Sequence, residues 1–103
     1  MKLLNDAIRH RLPAIYATQN DPDPIIQVKF FAPWTDWTWY VTEFDGDDLL
    51  FGIVDGFETE WGYSSLAELE AIRGPGGLCI ERDLYFDPTP LSALPSLHRF
   101  VPA

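Results

Sequence analysis

The sequence has little cysteine, little positive charge and no long apolar run. Its one cysteine, Cys79, cannot form an internal disulfide, which excludes a disulfide scaffold and fits a reducing compartment. No stretch approaches the roughly 18 consecutive apolar residues of a membrane span, and polar residues interrupt the N-terminus too early for a signal peptide. We therefore expect a cytoplasmic protein that forms one domain over residues 1–103.

Lysine and arginine are absent from residues 31–72, although the whole chain has seven. The same segment holds most of the 16 acidic residues, namely Asp36, Glu43, Asp45, Asp47, Asp48, Asp55, Glu58, Glu60, Glu68 and Glu70. With a net charge of −9, such a protein repels phosphate, so we expect no direct nucleic-acid binding. An acidic surface attracts basic protein surfaces, although it can also serve only to keep a protein soluble.

Apolar residues form 47% of the chain, which is enough for a packed core. Helical spacing predicts a first helix from about Asn5 to Leu12, which Pro13 ends. Ser65 and Glu68 form a capping box that begins a second helix. Aromatic and β-branched runs predict strands over 25–31, 37–44, 49–54 and 57–63, with a short strand over 78–86. The predicted fold is α+β, an antiparallel four- to five-stranded sheet with an N-terminal helix and a second helix after the fourth strand.

The dipeptide Asp55-Gly56 lies between two predicted strands and favours a two-residue hairpin turn. That turn pairs Val54 with Phe57, and the alternation then assigns one face to the core: Trp39, Val41, Leu50, Val54, Phe57 and Trp61. Glu43 falls on this face as a buried carboxylate that needs a partner, such as Arg73 or Arg82, or that has a functional role. The opposite face carries Tyr40, Thr42, Phe44, Phe51 and Ile53 beside Glu58 and Glu60. This second face is either an interaction surface or is covered by the C-terminal segment.

Few residues are suited to catalysis or to metal binding. Asp45, Asp47 and Asp48 alternate as in a calcium loop, but the twelfth position is Gly56 instead of glutamate, so turn formation explains them better. The two histidines, His10 and His98, are far apart in sequence, and Cys79 lies between apolar neighbours as a buried thiol would. We therefore predict no metal, no cofactor and no catalytic residues.

Several segments resemble a family of small uncharacterised proteins carried by plasmids, conjugative elements and phages. The resemblance spans about Leu3 to Leu94 and lies in Lys29-Phe30-Phe31, Trp37-Thr38-Trp39-Tyr40-Val41-Thr42-Glu43, Phe51-Gly52-Ile53-Val54-Asp55-Gly56-Phe57, Gly62-Tyr63-Ser64-Ser65-Leu66, Arg73-Gly74-Pro75 and Glu81-Arg82-Asp83-Leu84-Tyr85-Phe86. It assigns no catalytic residues. Length and composition are also similar to those of an anti-CRISPR protein from a mobile element that acts on the RNA-guided nuclease of type II-A systems. This resemblance implies a bacterial host cell.

The resulting hypothesis is a monomeric inhibitor, not an enzyme, that binds the type II-A CRISPR nuclease complex through an acidic surface. Such nucleases hold nucleic acid in positively charged channels, which a row of carboxylates would fit. The candidate contact residues are Asp45, Asp47, Asp48, Asp55, Glu58 and Glu60, with Trp34 as a hydrophobic anchor. The alternatives are a mobile-element accessory protein that binds another basic DNA-processing or restriction protein, and a small enzyme of unknown reaction.

Overall fold

A computed structural model describes residues 2–102 and confirms the predicted α+β fold. Five strands form one antiparallel sheet in the order β5-β4-β3-β2-β6. Their bounds are β2 Val28–Phe31, β3 Thr38–Phe44, β4 Leu49–Asp55, β5 Thr59–Ser65 and β6 Glu81–Arg82. Among the described residues, no helix has the length and apolar character needed to cross a membrane.

The N-terminal helix, α1, covers Asp6–Arg11. The side-chain oxygen of Asn5 accepts a hydrogen bond from the N–H of Ile8 at 2.8 Å and so caps the first turn. The second helix, α2, covers Leu66–Ala71, and the hydroxyl of Ser65 accepts from the N–H of Glu68 at 3.2 Å, as the capping motif predicts. Both helices therefore begin at the polar residues that the sequence indicates.

The predicted strand over 25–31 divides into two, because its first residues belong to a second sheet. Strand β1, Ile25–Ile26, pairs with β7, Thr89–Pro90, on the C-terminal segment. Of the predicted strand over 78–86, only β6 forms. The rest of the C-terminal segment makes short 3₁₀ turns at Leu91–Ala93 and Pro95–Phe100, as expected for a proline-rich chain that cannot maintain a ladder.

The predicted two-residue turn between β4 and β5 is wrong. Asp55 pairs with Thr59 across a three-residue loop, and Ile53 pairs with Trp61. Relative to the predicted pairing, the register shifts by three residues, and any odd shift moves every side chain of a strand to the other face. Trp61 consequently leaves the core and is 37% exposed, while Phe57 lies at the loop and is 95% exposed.

The prediction that Glu43 lies on the core face is wrong as well, because a β-bulge interrupts the pairing between Val41 and Glu43. The bulge inserts one extra residue, Thr42, so the residues beyond it change faces. Phe44 thus pairs with Leu50 and joins the main core, whereas Glu43 pairs with Phe51 on the opposite face. Neither Arg73 nor Arg82 contacts the Glu43 carboxylate.

Apolar residues cover both faces of the sheet. One face carries Trp39, Val41, Leu50 and Phe44 and packs under both helices through Ile8, Leu66 and Leu69, among others. The other face carries Tyr40 and Ile53, which pack against Leu91 and Leu97 of the C-terminal segment. The C-terminal segment therefore covers this part of the second face, which was one of the two alternatives from the sequence.

Candidate functional site

The six candidate carboxylates lie at the two opposite ends of strand β4. Asp45, Asp47 and Asp48 belong to the turn before it, and Asp55 ends it, followed by Glu58 and Glu60. A seven-residue strand at about 3.3 Å per residue separates the two groups by about 20 Å. The structure therefore does not bring all six residues together, and each group has to be considered by itself.

The carboxylate of Asp45 organises the turn between β3 and β4. Its Oδ1 accepts hydrogen bonds from the N–H groups of Asp47 at 2.8 Å, Asp48 at 2.8 Å and Leu49 at 3.0 Å. The Asp47 N–H is the largest cause that holds the pKa of the Asp45 carboxyl below its ordinary value. Turn formation thus accounts for Asp45, as predicted, and the described residues contain no cluster of potential metal ligands.

Asp48 joins this turn to the start of helix α2. Its carboxylate accepts from the hydroxyl of Ser65 at 2.6 Å and from the N–H of Ala67 at 2.7 Å, and its carbonyl accepts from the N–H of Leu66 at 2.9 Å. The Ser65 hydroxyl is the largest cause that lowers the pKa of Asp48. Both carboxylate oxygens are therefore engaged inside the protein, which makes Asp48 a helix cap more than a contact residue.

The carboxylates at the other end of β4 are more available. Asp55 accepts one hydrogen bond, from the hydroxyl of Thr59 at 2.8 Å. Glu58 and Glu60 are exposed, and no group within residues 2–102 donates a hydrogen bond to either side chain. Exposed carboxylates of this kind can pair with cations from outside the protein.

Aromatic side chains lie beside these two glutamates. The Trp37 ring lies flat over Gly56, where a Cβ atom would come within 2.6 Å of it, and Phe57 packs edge-on against Trp37 with 5.3 Å between ring centroids. Trp37, Trp39, Val54, Phe57, Glu58 and Glu60 line a groove of about 570 Å³. We call Trp37, Phe57, Glu58 and Glu60 the acidic aromatic surface.

The sequence did not single out Trp37 and Phe57 as surface residues. Phe57 was assigned to the core because the two-residue turn placed it in β5. A three-residue loop would have put it at the loop, and the glycine before it leaves the space that the Trp37 ring occupies. The signal that could have found both residues is this combination of a small residue and two aromatics at one turn.

The predicted anchor, Trp34, is half-buried. Its indole covers Gly74, where a Cβ atom would come within 2.3 Å of the ring. Trp34, Trp37 and Ile72 line a second groove of about 270 Å³. Trp34 therefore packs against the protein and presents only part of its ring, whereas Phe57 presents nearly all of its side chain.

Glu43 lies on the opposite face and is 2% exposed. Its carboxylate accepts from the N–H groups of Tyr16 and Thr18, both at 2.9 Å, and from the Thr18 hydroxyl. Tyr16 has a φ of 73°, which is a strained value for a residue with a side chain, and the Glu43 bonds hold this conformation. Glu43 therefore fixes the loop over residues 16–18, and it does not converge with a second carboxylate.

A second aromatic group lies near this loop. The rings of Phe51 and Trp61 stack with 5.4 Å between centroids, Tyr63 lies 4.8 Å from Phe51, and Phe100 meets Trp61 edge-on at 6.2 Å. Trp61 and Tyr63 stay partly exposed there, since the C-terminal segment covers Tyr40 and Ile53 but does not extend fully over strand β5. The protein thus exposes aromatic side chains on both faces of β5.

The chain was compared with protein-family models, curated proteins and solved structures. No curated protein and no solved structure matches the chain. A family model with the description "Protein of unknown function (DUF2958)" matches residues 3–98. Because that match covers almost the whole sequence, the chain belongs to the DUF2958 family.

Proposed function

We propose that this protein is a non-catalytic inhibitor that binds a basic protein through the acidic aromatic surface. The observation that carries the proposal is the exposed Phe57 ring, which meets Trp37 edge-to-face beside two glutamates that accept no hydrogen bond from any group within residues 2–102. Aromatic residues surrounded by charge are typical of the residues that dominate binding at protein interfaces. Glu58 and Glu60 would steer and orient a basic partner, and Phe57 would supply the apolar contact.

The partner we propose is the RNA-guided nuclease complex of type II-A CRISPR systems, in the cytoplasm of a bacterial host. Such a nuclease holds nucleic acid in positively charged channels and reads a short DNA motif with arginines. A net charge of −9 and a segment of 42 residues without a base, 31–72, favour that partner over nucleic acid itself. The resemblance of this chain to proteins of mobile elements supports the same choice.

The test is a DNA-cleavage assay with the purified nuclease and its guide RNA. We expect the wild-type protein to protect the DNA target, and we expect the variant F57A/E58K/E60K to lose protection. The matched control is D47K/D87K, which changes two exposed carboxylates away from this surface and alters the net charge as much as E58K/E60K does. An exposed ion pair contributes about 0–1 kcal/mol. Each single substitution should therefore reduce protection only slightly, and the combined variant should lose it.

The control variant separates a local surface from a general charge effect. Equal loss in both variants would mean that net charge, and not the surface around Phe57, causes binding. Full protection by F57A/E58K/E60K, with a circular dichroism spectrum like that of the wild type, would rule the surface out. The wild type could give no protection and yet bind a basic restriction or DNA-processing protein. If F57A/E58K/E60K then fails to bind that protein, the proposed partner is wrong and the proposed surface is supported.

A further inference from the structure

Strand β5 forms one edge of the five-stranded sheet. It runs for seven residues, Thr59–Ser65, and pairs only with β4 on its inner side. Within residues 2–102, no strand pairs with its outer side. An edge of this kind presents main-chain N–H and C=O groups to any extended chain that approaches it.

The hydrogen bonds at the two ends of the β4–β5 ladder show which residues of β5 direct their main-chain N–H and C=O groups away from β4. The N–H of Gly56 donates to the carbonyl of Glu58 at 3.0 Å, and the N–H of Leu66 donates to the carbonyl of Asp48 at 2.9 Å. In an antiparallel pair, bonded and non-bonded pairs alternate, so the even-numbered residues of β5 bond to β4. The odd-numbered residues, among them Trp61 and Tyr63, direct their main-chain groups away from the sheet.

A contact from the C-terminal segment agrees with this assignment. The guanidinium of Arg99 donates to the carbonyl of Thr59 at 3.0 Å. This bond requires that the Thr59 carbonyl point away from β4. This bond occupies one acceptor at the beginning of the edge. The main-chain groups of Trp61 and Tyr63 are the next two rungs along it.

The two edges of the sheet differ in how they are protected. At the opposite edge, β6 has only two residues, one of them Arg82, and an ion pair of 3.8 Å between Lys29 and Asp83 lies beside it. Short strands and charged residues, lysine above all, are the usual means of preventing edge pairing. Strand β5 has full length, no lysine, no proline and no bulge, so within residues 2–102 the edge is protected by the Arg99 bond to Thr59 and by the charge of Glu60.

Space is available on both sides of this edge. A Cβ atom at Gly62 would have no heavy atom within 4 Å, so the sheet is open above Gly62, where the groove with Trp37 and Trp39 begins. On the other face, Tyr63 is 51% exposed and Trp61 37% exposed. A strand added here would therefore place alternate side chains in the groove and on the two aromatic rings.

We propose that the partner contributes a basic extended segment that adds to the β5 edge as a sixth strand. This inference rests on the proposed function and specifies how the partner is held. Main-chain bonds to Trp61 and Tyr63 would provide affinity, and alternate side-chain positions would provide specificity. Lysine or arginine would lie opposite Glu60 and Glu58, and a bulky apolar residue would lie opposite Gly62.

Charge decides against a second copy of this chain as the added strand. Two β5 edges in antiparallel contact would bring Glu58 and Glu60 of each copy to the same interface, in molecules that each carry a net charge of −9. Two molecules of the same net charge repel each other, and glutamates of both copies at one contact add to that repulsion. A basic segment would instead be attracted to Glu58 and Glu60, and this attraction would stabilise the added strand.

A synthetic peptide tests the main-chain bonds directly. The probe is acetyl-Thr-Val-Leu-Val-Lys-Thr-Lys-amide, which in antiparallel orientation sets its leucine opposite Gly62, its valines opposite Tyr63 and Trp61, and its first lysine opposite Glu60. We expect N-methylation of both valines to weaken binding by about tenfold or more, because their N–H groups donate to the edge. N-methylation of the leucine and the first lysine, whose N–H groups point away, should leave affinity nearly unchanged.

Calorimetric titration of the full-length protein gives the readout for this peptide series. Equal weakening by both methylation patterns would overturn the proposal, since contact through side chains alone predicts that result. Absence of binding by the unmodified peptide at about 1 mM would overturn it as well.

A pair of protein variants tests the same edge against the nuclease complex. Y63P removes the outward N–H but leaves the bonds to β4 intact, because the Tyr63 N–H takes no part in that ladder. Y63A removes the ring and keeps the N–H, and it is the matched control. We expect Y63P to lose inhibition and Y63A to keep most of it.

The outcomes distinguish this inference from the proposed function. If F57A/E58K/E60K abolishes inhibition while Y63P retains it, the surface binds the partner without strand addition, and the inference fails alone. If neither variant has an effect, both fail. A concentration-dependent dimer in sedimentation equilibrium that Y63P dissociates would assign the edge to a second copy and overturn the inference.

Discussion

Glu43 connects strand β3 to a loop that contains a strained residue, Tyr16. Both of its oxygens accept hydrogen bonds from residues 16–18, and the carboxylate has almost no contact with water. Buried charges are tolerated when fixed donors satisfy them, and two main-chain N–H groups and one hydroxyl do so here. The positive φ of Tyr16 is therefore a consequence of the Glu43 bonds, since an unsupported tyrosine would avoid that region.

We predict that E43Q destabilises the protein by about 1.5–3 kcal/mol, the usual contribution of hydrogen bonds to a charged group. The amide has one oxygen where the carboxylate has two, so at least one buried donor loses its acceptor. The measurement is urea unfolding followed by tryptophan fluorescence. E60Q is the control, because it removes the same charge from an exposed side chain, and it should change stability by less than about 0.5 kcal/mol. Similar effects of both variants would contradict the role assigned to Glu43.

A close contact between Trp37 and Gly56 shapes the loop that follows strand β4. The Trp37 ring lies on Gly56, and this position of the ring allows Phe57 to pack against its edge. Edge-to-face geometry is favourable for aromatic pairs. The contact with Trp37 therefore favours one orientation of the exposed Phe57 ring, and a favoured orientation lowers the entropy lost on binding.

At the scale of elements, a side chain from the turn between β3 and β4 caps helix α2, whose Leu66 and Leu69 pack against the sheet. Asp48 accepts from the Ser65 hydroxyl and from the Ala67 N–H, so it supplements the cap that Ser65 alone provides. A carboxylate at a helix N-terminus also interacts favourably with the helix dipole. This contact connects the turn between β3 and β4 to the junction of β5 and α2.

We predict that this contact makes stability sensitive to acid. Hydrogen bonds from Ser65 and Ala67 lower the pKa of Asp48 in the folded protein below 3.8, its ordinary value. The folded state then binds fewer protons than the unfolded state, so the stabilisation is present above about pH 4 and is lost as the pH falls through the lowered pKa. The free energy of unfolding of D48N should therefore decline less steeply between about pH 5 and about pH 3 than that of the wild type.

The control for the acid experiment lies in the same turn. D47N changes an exposed carboxylate to which no group within residues 2–102 donates a hydrogen bond, so the stability of D47N should follow the wild-type pH profile. Parallel profiles for D48N and the wild type would show that the Asp48 contact does not contribute to acid sensitivity.

At the scale of the whole molecule, net charge acts on folding and on binding in opposite directions. A protein with a charge of −9 repels itself, which destabilises the compact state, and the same charge attracts a basic partner. Salt screens both effects, since the Debye length falls from about 10 Å at 0.1 M to about 3 Å at 1 M. The two consequences of charge can therefore be measured separately.

We predict that raising sodium chloride from about 0.05 M to about 0.5 M increases the melting temperature of the free protein and weakens binding to its proposed partner, the nuclease complex. Differential scanning fluorimetry gives the first quantity and titration gives the second. The E58K/E60K variant carries less net charge, so its melting temperature should rise less with salt. An unchanged or lower melting temperature of the wild type at high salt would contradict the self-repulsion argument.

Local sequence signals determined the elements of this protein. Asn5 and Ser65 begin the two helices because a side chain next to the first turn can bond its free N–H groups, and this interaction needs no distant partner. The aromatic and β-branched runs became strands for a similar reason, since their side chains suit an extended backbone. The α+β fold class, and the location of Glu58 and Glu60 near one turn, were therefore predictable.

Only the tertiary structure decided the register and the faces. The Asp55-Gly56 dipeptide fits a two-residue turn, but the stacking of Trp37 on Gly56 accompanies a three-residue loop that exposes Phe57 and Trp61. The bulge near Glu43 likewise places its carboxylate where donors 25 or more residues away in sequence can satisfy it. Such choices depend on contacts between residues distant in sequence, and a one-residue change of register reverses every face, so local pattern could not fix them.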